Sequence, residues 1–112
     1  MKKTKWRARG VRAALRRTGA RVSRSFSTAG PIEQSVLESK PGVYVAVLSM
    51  RGGWWKPVKA GMGGDLRDRV QTICAEEWCT RAKVRFFAIY TPRLGEKRRS
   101  ELERDVAEVF GL

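Results

Sequence analysis

The sequence of 112 residues predicts an α+β domain, a small three-stranded antiparallel sheet in the order β-β-α-β-α with flanking helices, preceded by a basic N-terminal arm. Three observations predict this fold. Two strand-like apolar runs are joined by a short Gly-rich loop, a third apolar run begins near residue 84, and two stretches repeat apolar residues every three or four positions. A chain of this length supports one domain at most, with a modest core.

The arm is defined by its charge. Residues 1–30 hold ten Lys or Arg and no acid, whereas residues 31–112 hold fourteen basic and eleven acidic side chains. We therefore divide the chain into an arm (1–30), a linker (31–40) and a compact domain (41–112). Since the apolar pattern places the core after Val36, the domain is expected to stay folded without the arm.

The domain opens with a hairpin. Residues 43–48 are apolar at both parities, which predicts a strand covered on both faces. Residues 49–53 predict the loop and residues 54–60 the returning strand, where Pro57 indicates a sheet edge or a bulge. Trp54 and Trp55 beside the loop either stack on nucleic-acid bases or cover the core.

Two helices and a strand complete the domain. Asp65 is the expected N-cap of a helix with one apolar stripe, formed by Leu66, Val70 and Ile73. Residues 84–90 predict the third strand, because aromatic and β-branched side chains dominate them. Residues 97–110 predict the last helix, which Gly111 should end.

The net charge of +13 predicts an anionic partner, with nucleic acid favoured over a membrane surface. We expect DNA rather than RNA, although the charge does not distinguish the two. The expected phosphate-binding residues are Arg7, Arg9, Arg12, Arg16, Arg17, Arg21, Arg24 and Arg67. An Arg-rich arm without acids is also typical of a mitochondrial transit peptide. A bacterial or viral cytoplasmic setting and a mitochondrial one therefore both remain open.

The residue types restrict the chemistry. The chain has no histidine and two cysteines, which excludes Cys/His zinc sites and a histidine general base. No apolar stretch approaches the roughly 18 residues that a membrane-spanning helix needs.

Two short segments carry a family resemblance. PGVY at residues 41–44 and KAG at residues 59–61 are followed by Leu66, Arg67 and Arg69 and by a glutamate-bearing helix. This order resembles the GIY-YIG nuclease superfamily, especially the N-terminal domain of bacterial excision-repair endonucleases, over about 70 residues. Lysine occupies position 59, where the family usually has tyrosine.

The resemblance implies a metal-dependent endonuclease that hydrolyses phosphodiester bonds with Mg²⁺ or Mn²⁺. In its site Tyr44 would activate the attacking water or act through its phenolate oxygen close to the metal, Arg69 would hold the scissile phosphate, and Glu103 would ligate the metal. Lys59, which departs from the family pattern, could still contact phosphate. At roughly 100° per residue, Glu103 lies at the edge of the apolar stripe of its helix and Glu101 faces solvent.

Three functions remain open. The first is an active nuclease for which the arm supplies affinity. The second is a catalytically degenerate GIY-YIG-like module that only binds nucleic acid. The third is a basic structural component of a larger nucleoprotein assembly.

Overall fold

The computed structural model describes residues 4–18, 30–75 and 84–112. Within these residues it confirms the α+β class, with three helices and one open antiparallel sheet of strand order β2-β1-β3. The elements are α1 (Ala8–Thr18), β1 (Gly42–Met50), β2 (Trp54–Gly63), α2 (Leu66–Cys74), β3 (Val84–Tyr90) and α3 (Glu96–Val109).

The β1–β2 hairpin is built as the sequence predicts, with longer strands. A turn at residues 51–53 joins the strands, and Gly52 and Gly53 adopt φ values of 82° and 78°, which side chains with a Cβ disfavour. Pro57 indicated either a sheet edge or a bulge, and the structure shows both. β2 is an edge strand, and its register with β1 shifts between Ala46 and Val47.

The ends of the two predicted helices also follow their sequence signals. The Asp65 side chain accepts a hydrogen bond of 3.0 Å from the backbone N–H of Asp68 and so caps α2. Leu66, Val70 and Ile73 are buried, and Gly111 follows α3 with φ 68°.

The sheet has a core on each face because alternate residues of β1 point in opposite directions. On one face, Val43, Val45 and Val47 cluster with buried residues of α1 and α3; we call it the α1/α3 face. On the other face, Tyr44 and Ala46 cluster with α2; we call it the α2 face.

The expectation that the core lies wholly after Val36 is wrong. Trp6, Val11, Ala14 and Leu15 are all buried in the cluster on the α1/α3 face, and the Trp6 ring packs edge-on against Phe110 at 4.9 Å. On α1, Ala14 and Leu15 follow Val11 by three and four positions, so these buried residues form one apolar stripe on a helix that otherwise carries arginines. Deleting residues 1–30 therefore removes part of the core.

Short backbone bridges extend the sheet at both edges. Trp6 and Trp55 exchange two hydrogen bonds of 2.7 Å at the β2 edge. Ile32, in the predicted linker, exchanges bonds of 2.9 and 2.8 Å with Phe86 of β3. Both bridges satisfy backbone groups that an open edge would expose.

Candidate nucleic-acid interface

Tyr44 is buried inside the α2 face, with 1% of its surface exposed. Its ring packs edge-on against Phe86 at 6.1 Å, and its hydroxyl end lies directly against Gly61, the residue opposite it on β2. A Cβ at position 61 would overlap the Tyr44 ring, so this close approach requires glycine. The predicted water-activating residue thus fills the core beneath the sheet edge.

Arg69 reaches the same face from α2. A Cβ at Gly63 would stand 3.0 Å from the Arg69 Cβ and 3.2 Å from its Cγ, so the aliphatic stem of Arg69 covers Gly63. Gly61 and Gly63 are two residues apart on β2 and face the same side. Tyr44 and Arg69 therefore cover neighbouring positions of β2, with the Arg69 side chain exposed.

The bulge in β2 brings Lys59 to this face. Pro57 lies opposite Val47 and Lys59 opposite Ala46, which leaves Val58 as the extra residue. Because the extra residue reverses the alternation, Lys59 shares a face with Ala46 and is exposed. It is a diagonal neighbour of Tyr44, so the structure brings together Tyr44, Lys59 and Arg69.

Glu103 does not join them. Its helix, α3, packs on the α1/α3 face through Leu102 and Val106, whereas the Tyr44 ring lies on the α2 face. The predicted helical phase is confirmed, since Glu103 is half-buried and Glu101 exposed. The sheet nevertheless separates the α3 helix from the Tyr44 side chain.

The carboxylates do not gather into a metal centre in the part of the chain that the structure describes, where no group of three or more Cys, Asp or Glu side chains could hold an ion. The predicted Mg²⁺ or Mn²⁺ ligand, Glu103, is moreover on the other side of the sheet from Tyr44. Tyr44 and the predicted metal ligand Glu103 therefore do not lie together in one site.

Exposed basic side chains instead line one face of β2. Lys56 lies opposite Leu48, which packs into the α2-face cluster, so Lys56 and Lys59 point to the same side of β2. Together with Arg69 they form a row that we call the β2 track (Lys56, Lys59 and Arg69). Trp54, two residues before Lys56, lies at its far end. β2 itself spans about 30 Å at 3.2–3.4 Å per residue.

Acids are absent from the strand that carries the two lysines. Residues 39–64 contain no Asp or Glu. Of the acids that precede them, Glu33 pairs with Arg85 of β3 at 3.3 Å and Glu38 pairs with Lys40 at 3.5 Å. The carboxylate of Asp65, which follows, caps α2. The two lysines of the β2 track thus have no carboxylate beside them on β2, whereas Asp65 and Asp68 stand beside Arg69 at the start of α2.

The predicted phosphate-binding arginines occupy several places. Exposed positions are held by Arg7, Arg9, Arg16, Arg17 and Arg67, and Arg12 is half-buried. The predictions for Arg21 and Arg24 lie outside the described residues. Because α1 buries its apolar stripe, its arginines are held on a fixed helix surface.

Sequence reasoning missed Lys56 and the order of the β2 track. The signal that identifies them is the Pro57 bulge, because the parity reversal at Val58 puts two lysines three residues apart on one face. It also missed α1, although Val11, Ala14 and Leu15 already showed helical spacing.

Comparison of the chain with protein-family models, curated proteins and solved structures finds no match. Membership of the GIY-YIG superfamily therefore stays a prediction based on the two half-motifs. Among the helices of the described residues, none is long and apolar enough to cross a membrane.

Proposed function

We propose that the protein binds nucleic acid through the phosphate backbone, with the β2 track as its main contact surface and the outer face of α1, on the opposite side of the sheet, as a second one. The observation that carries this proposal is the β2 track. Its exposed Lys56 and Lys59 lie on one face of a strand within residues 39–64, which contain no acid, and the exposed Arg69 of α2 lies beside them. Lysine and arginine side chains on a rigid strand and helix neutralise successive phosphates and release their counterions.

The geometry favours binding over cleavage. Tyr44 is 1% exposed and the helix of Glu103 lies across the sheet, so the groups that the resemblance assigns to water activation and metal ligation are not joined. Lys59 and Arg69 remain exposed and can contact phosphate. A catalytically degenerate module would keep the exposed phosphate contacts and would not need Tyr44 and Glu103 to meet, which agrees with this arrangement.

The binding proposal is tested by removing two charges from the β2 track. In Lys56→Gln/Lys59→Gln, we expect weaker binding to a short DNA duplex and a log–log salt slope reduced by about 0.9 for each phosphate that the protein no longer neutralises. The matched control is Lys97→Gln/Arg98→Gln, which removes two charges from exposed positions of α3. That helix is acidic as well as basic, with Glu96, Glu101 and Glu103 nearby in sequence.

The control should keep most of the affinity and the slope. Equal losses from the two double variants would mean that only the total charge matters and would remove the β2 track as a site. A wild-type protein that fails to bind duplex or single-stranded DNA or RNA at low salt would overturn the proposal.

Endonuclease activity remains the second candidate, because Tyr44, Lys59 and Arg69 are neighbours on one face. Its test is cleavage of labelled DNA and RNA with and without Mg²⁺ or Mn²⁺. If the sequence prediction holds, Tyr44→Phe, Arg69→Ala and Glu103→Gln each reduce cleavage by orders of magnitude, and Glu101→Gln does not. Binding by the wild type without cleavage of any substrate would leave the binding module alone.

A further inference from the structure

An arginine–tryptophan stack stands at the tip of the β1–β2 hairpin. The Arg7 guanidinium carbon lies 3.9 Å from the centre of the Trp54 ring, and the Lys5 ammonium lies 4.8 Å from the same centre. Both cations are exposed and Trp54 is half-buried. At these distances the ring attracts both cations through its quadrupole.

The hairpin turn holds the guanidinium in place. Arg7 Nη1 donates a hydrogen bond of 2.5 Å to the carbonyl of Gly52. A Cβ at Gly53 would stand 3.1 Å from the same nitrogen, so the turn passes close to the guanidinium edge. The aromatic face and the turn carbonyl, both uncharged, therefore hold this guanidinium against the hairpin.

The backbone on either side is fixed as well. Trp6 is bonded to Trp55 through both of its backbone groups, and its side chain is buried against Phe110. Since side chains alternate along extended backbone, the neighbours Lys5 and Arg7 point away from the core. The stack is thus anchored to the sheet and to the core through Trp6.

We propose that the outward face of the Arg7 guanidinium is a stacking platform for an unpaired base, which makes nucleic acid with a single-stranded segment the preferred ligand. This inference rests on the proposed function and names the class of ligand for it. Guanidinium planes and aromatic rings both stack on splayed bases, whereas paired bases inside a duplex are not accessible in this way.

The charges around the stack fit a single strand that continues past the stacked base. Lys5 lies over the same ring, Arg51 is exposed in the turn, and Lys56 follows Trp54 by two residues on β2. The base would rest on Arg7 while the next phosphates meet Lys56 and then Lys59. A planar platform followed by a row of cations is the usual arrangement for binding unpaired strands without sequence preference.

The test compares three DNA ligands with the full-length protein: a short blunt duplex, the same duplex with a single-stranded overhang, and that overhang with abasic sites in place of its bases. We expect the wild type to bind the overhang ligand at least about fivefold more tightly than the blunt duplex, from one stacked base. The abasic overhang keeps every phosphate and should lose most of that preference.

Arg7→Lys is the decisive variant, because it keeps the charge and removes the planar guanidinium. The ratio of its affinities for the overhang ligand and the blunt duplex should fall to about one, whatever the change in either affinity alone. Arg98→Lys, at an exposed position of α3, is the matched control and should keep the preference. Thermal unfolding of both variants verifies that the fold is intact.

Three results would overturn the inference. These are equal binding of the overhang and blunt ligands by the wild type, a preference that survives in the abasic ligand, and a preference that survives in Arg7→Lys. Each of them leaves backbone binding in place. Failure to bind any of the three ligands would instead overturn the proposed function together with the inference.

Discussion

At the scale of single residues, two glycines decide how the edge strand carries its charged neighbours. Gly61 accommodates the Tyr44 ring and Gly63 accommodates the stem of Arg69. Neither has a positive φ, so the reason for glycine is space rather than backbone conformation. The aromatic cover over Gly61 replaces the cross-strand contact that the missing side chain would have made.

Gly61→Ala should lower stability by about 1–3 kcal/mol, because Tyr44 is fully buried and has no room to give way. The measurement is chemical denaturation of the purified variant. Gly64→Ala is the matched control, since nothing lies within 4 Å of a Cβ there. It should stay within about 0.5 kcal/mol of wild type. Similar losses in both variants would show that Tyr44 does not occupy the space over Gly61.

At the scale of elements, α2 begins at the N-cap that the local sequence predicts, Asp65. The Asp65 carboxylate satisfies the N–H of Asp68, one of the donors that a helix leaves unpaired at its start. Because α2 supplies the Arg69 stem, its first turn also positions one end of the β2 track.

Asp65→Ala should therefore cost about 1 kcal/mol of stability, whereas Asp65→Asn should cost little because its amide oxygen still accepts the bond. Thermal unfolding of the two variants gives the comparison. The cap assignment fails if Asn and Ala destabilise the protein equally.

α1 combines two roles on one helix, and they can be separated by mutation. Leu15 is 5% exposed, so Leu15→Ala should lower stability by about 2–5 kcal/mol. Arg16 is exposed, so Arg16→Gln should change stability by less than about 0.5 kcal/mol while weakening nucleic-acid binding and its salt slope. Denaturation and salt-dependent binding measure the two effects. A loss of stability in Arg16→Gln matching that of Leu15→Ala would contradict the assigned helix face.

At the scale of the whole molecule, the charge of +13 acts on stability and on binding in opposite directions. Like charges repel one another within the compact state, and the same charges attract a polyanion. Salt weakens both effects, since the Debye length falls from about 30 Å at 0.01 M to about 8 Å at 0.15 M.

We therefore expect the Tm to rise and the nucleic-acid affinity to fall as salt increases over this range. Thermal unfolding and binding titrations on the same samples provide both curves. A Tm that falls with salt would show that attractive charge pairs outweigh repulsion in the folded protein.

The local sequence determined much of the sheet and of the two later helices. The strand at residues 84–90, the caps Asp65 and Gly111, and the irregularity at Pro57 could all be predicted because their signals lie within a few residues. Charge composition predicts an anionic partner whatever the fold, since the summed charge does not depend on it, and this stays a prediction.

Only the tertiary structure decided which residues meet. The stripe of α1 was present in the sequence, but its burial depends on β1 and α3, which are distant along the chain. The Tyr44 side chain and the helix of Glu103 lie on opposite faces of the sheet. The alternation of side chains along β1 places the first, and the packing of α3 places the second. Lys56 and Lys59 lie on the same face of β2 because Val58 is an extra, unpaired residue. Such a bulge reverses the side of the sheet to which every later side chain points. Sequence spacing cannot supply that parity, because it is set by the pairing of β2 with β1.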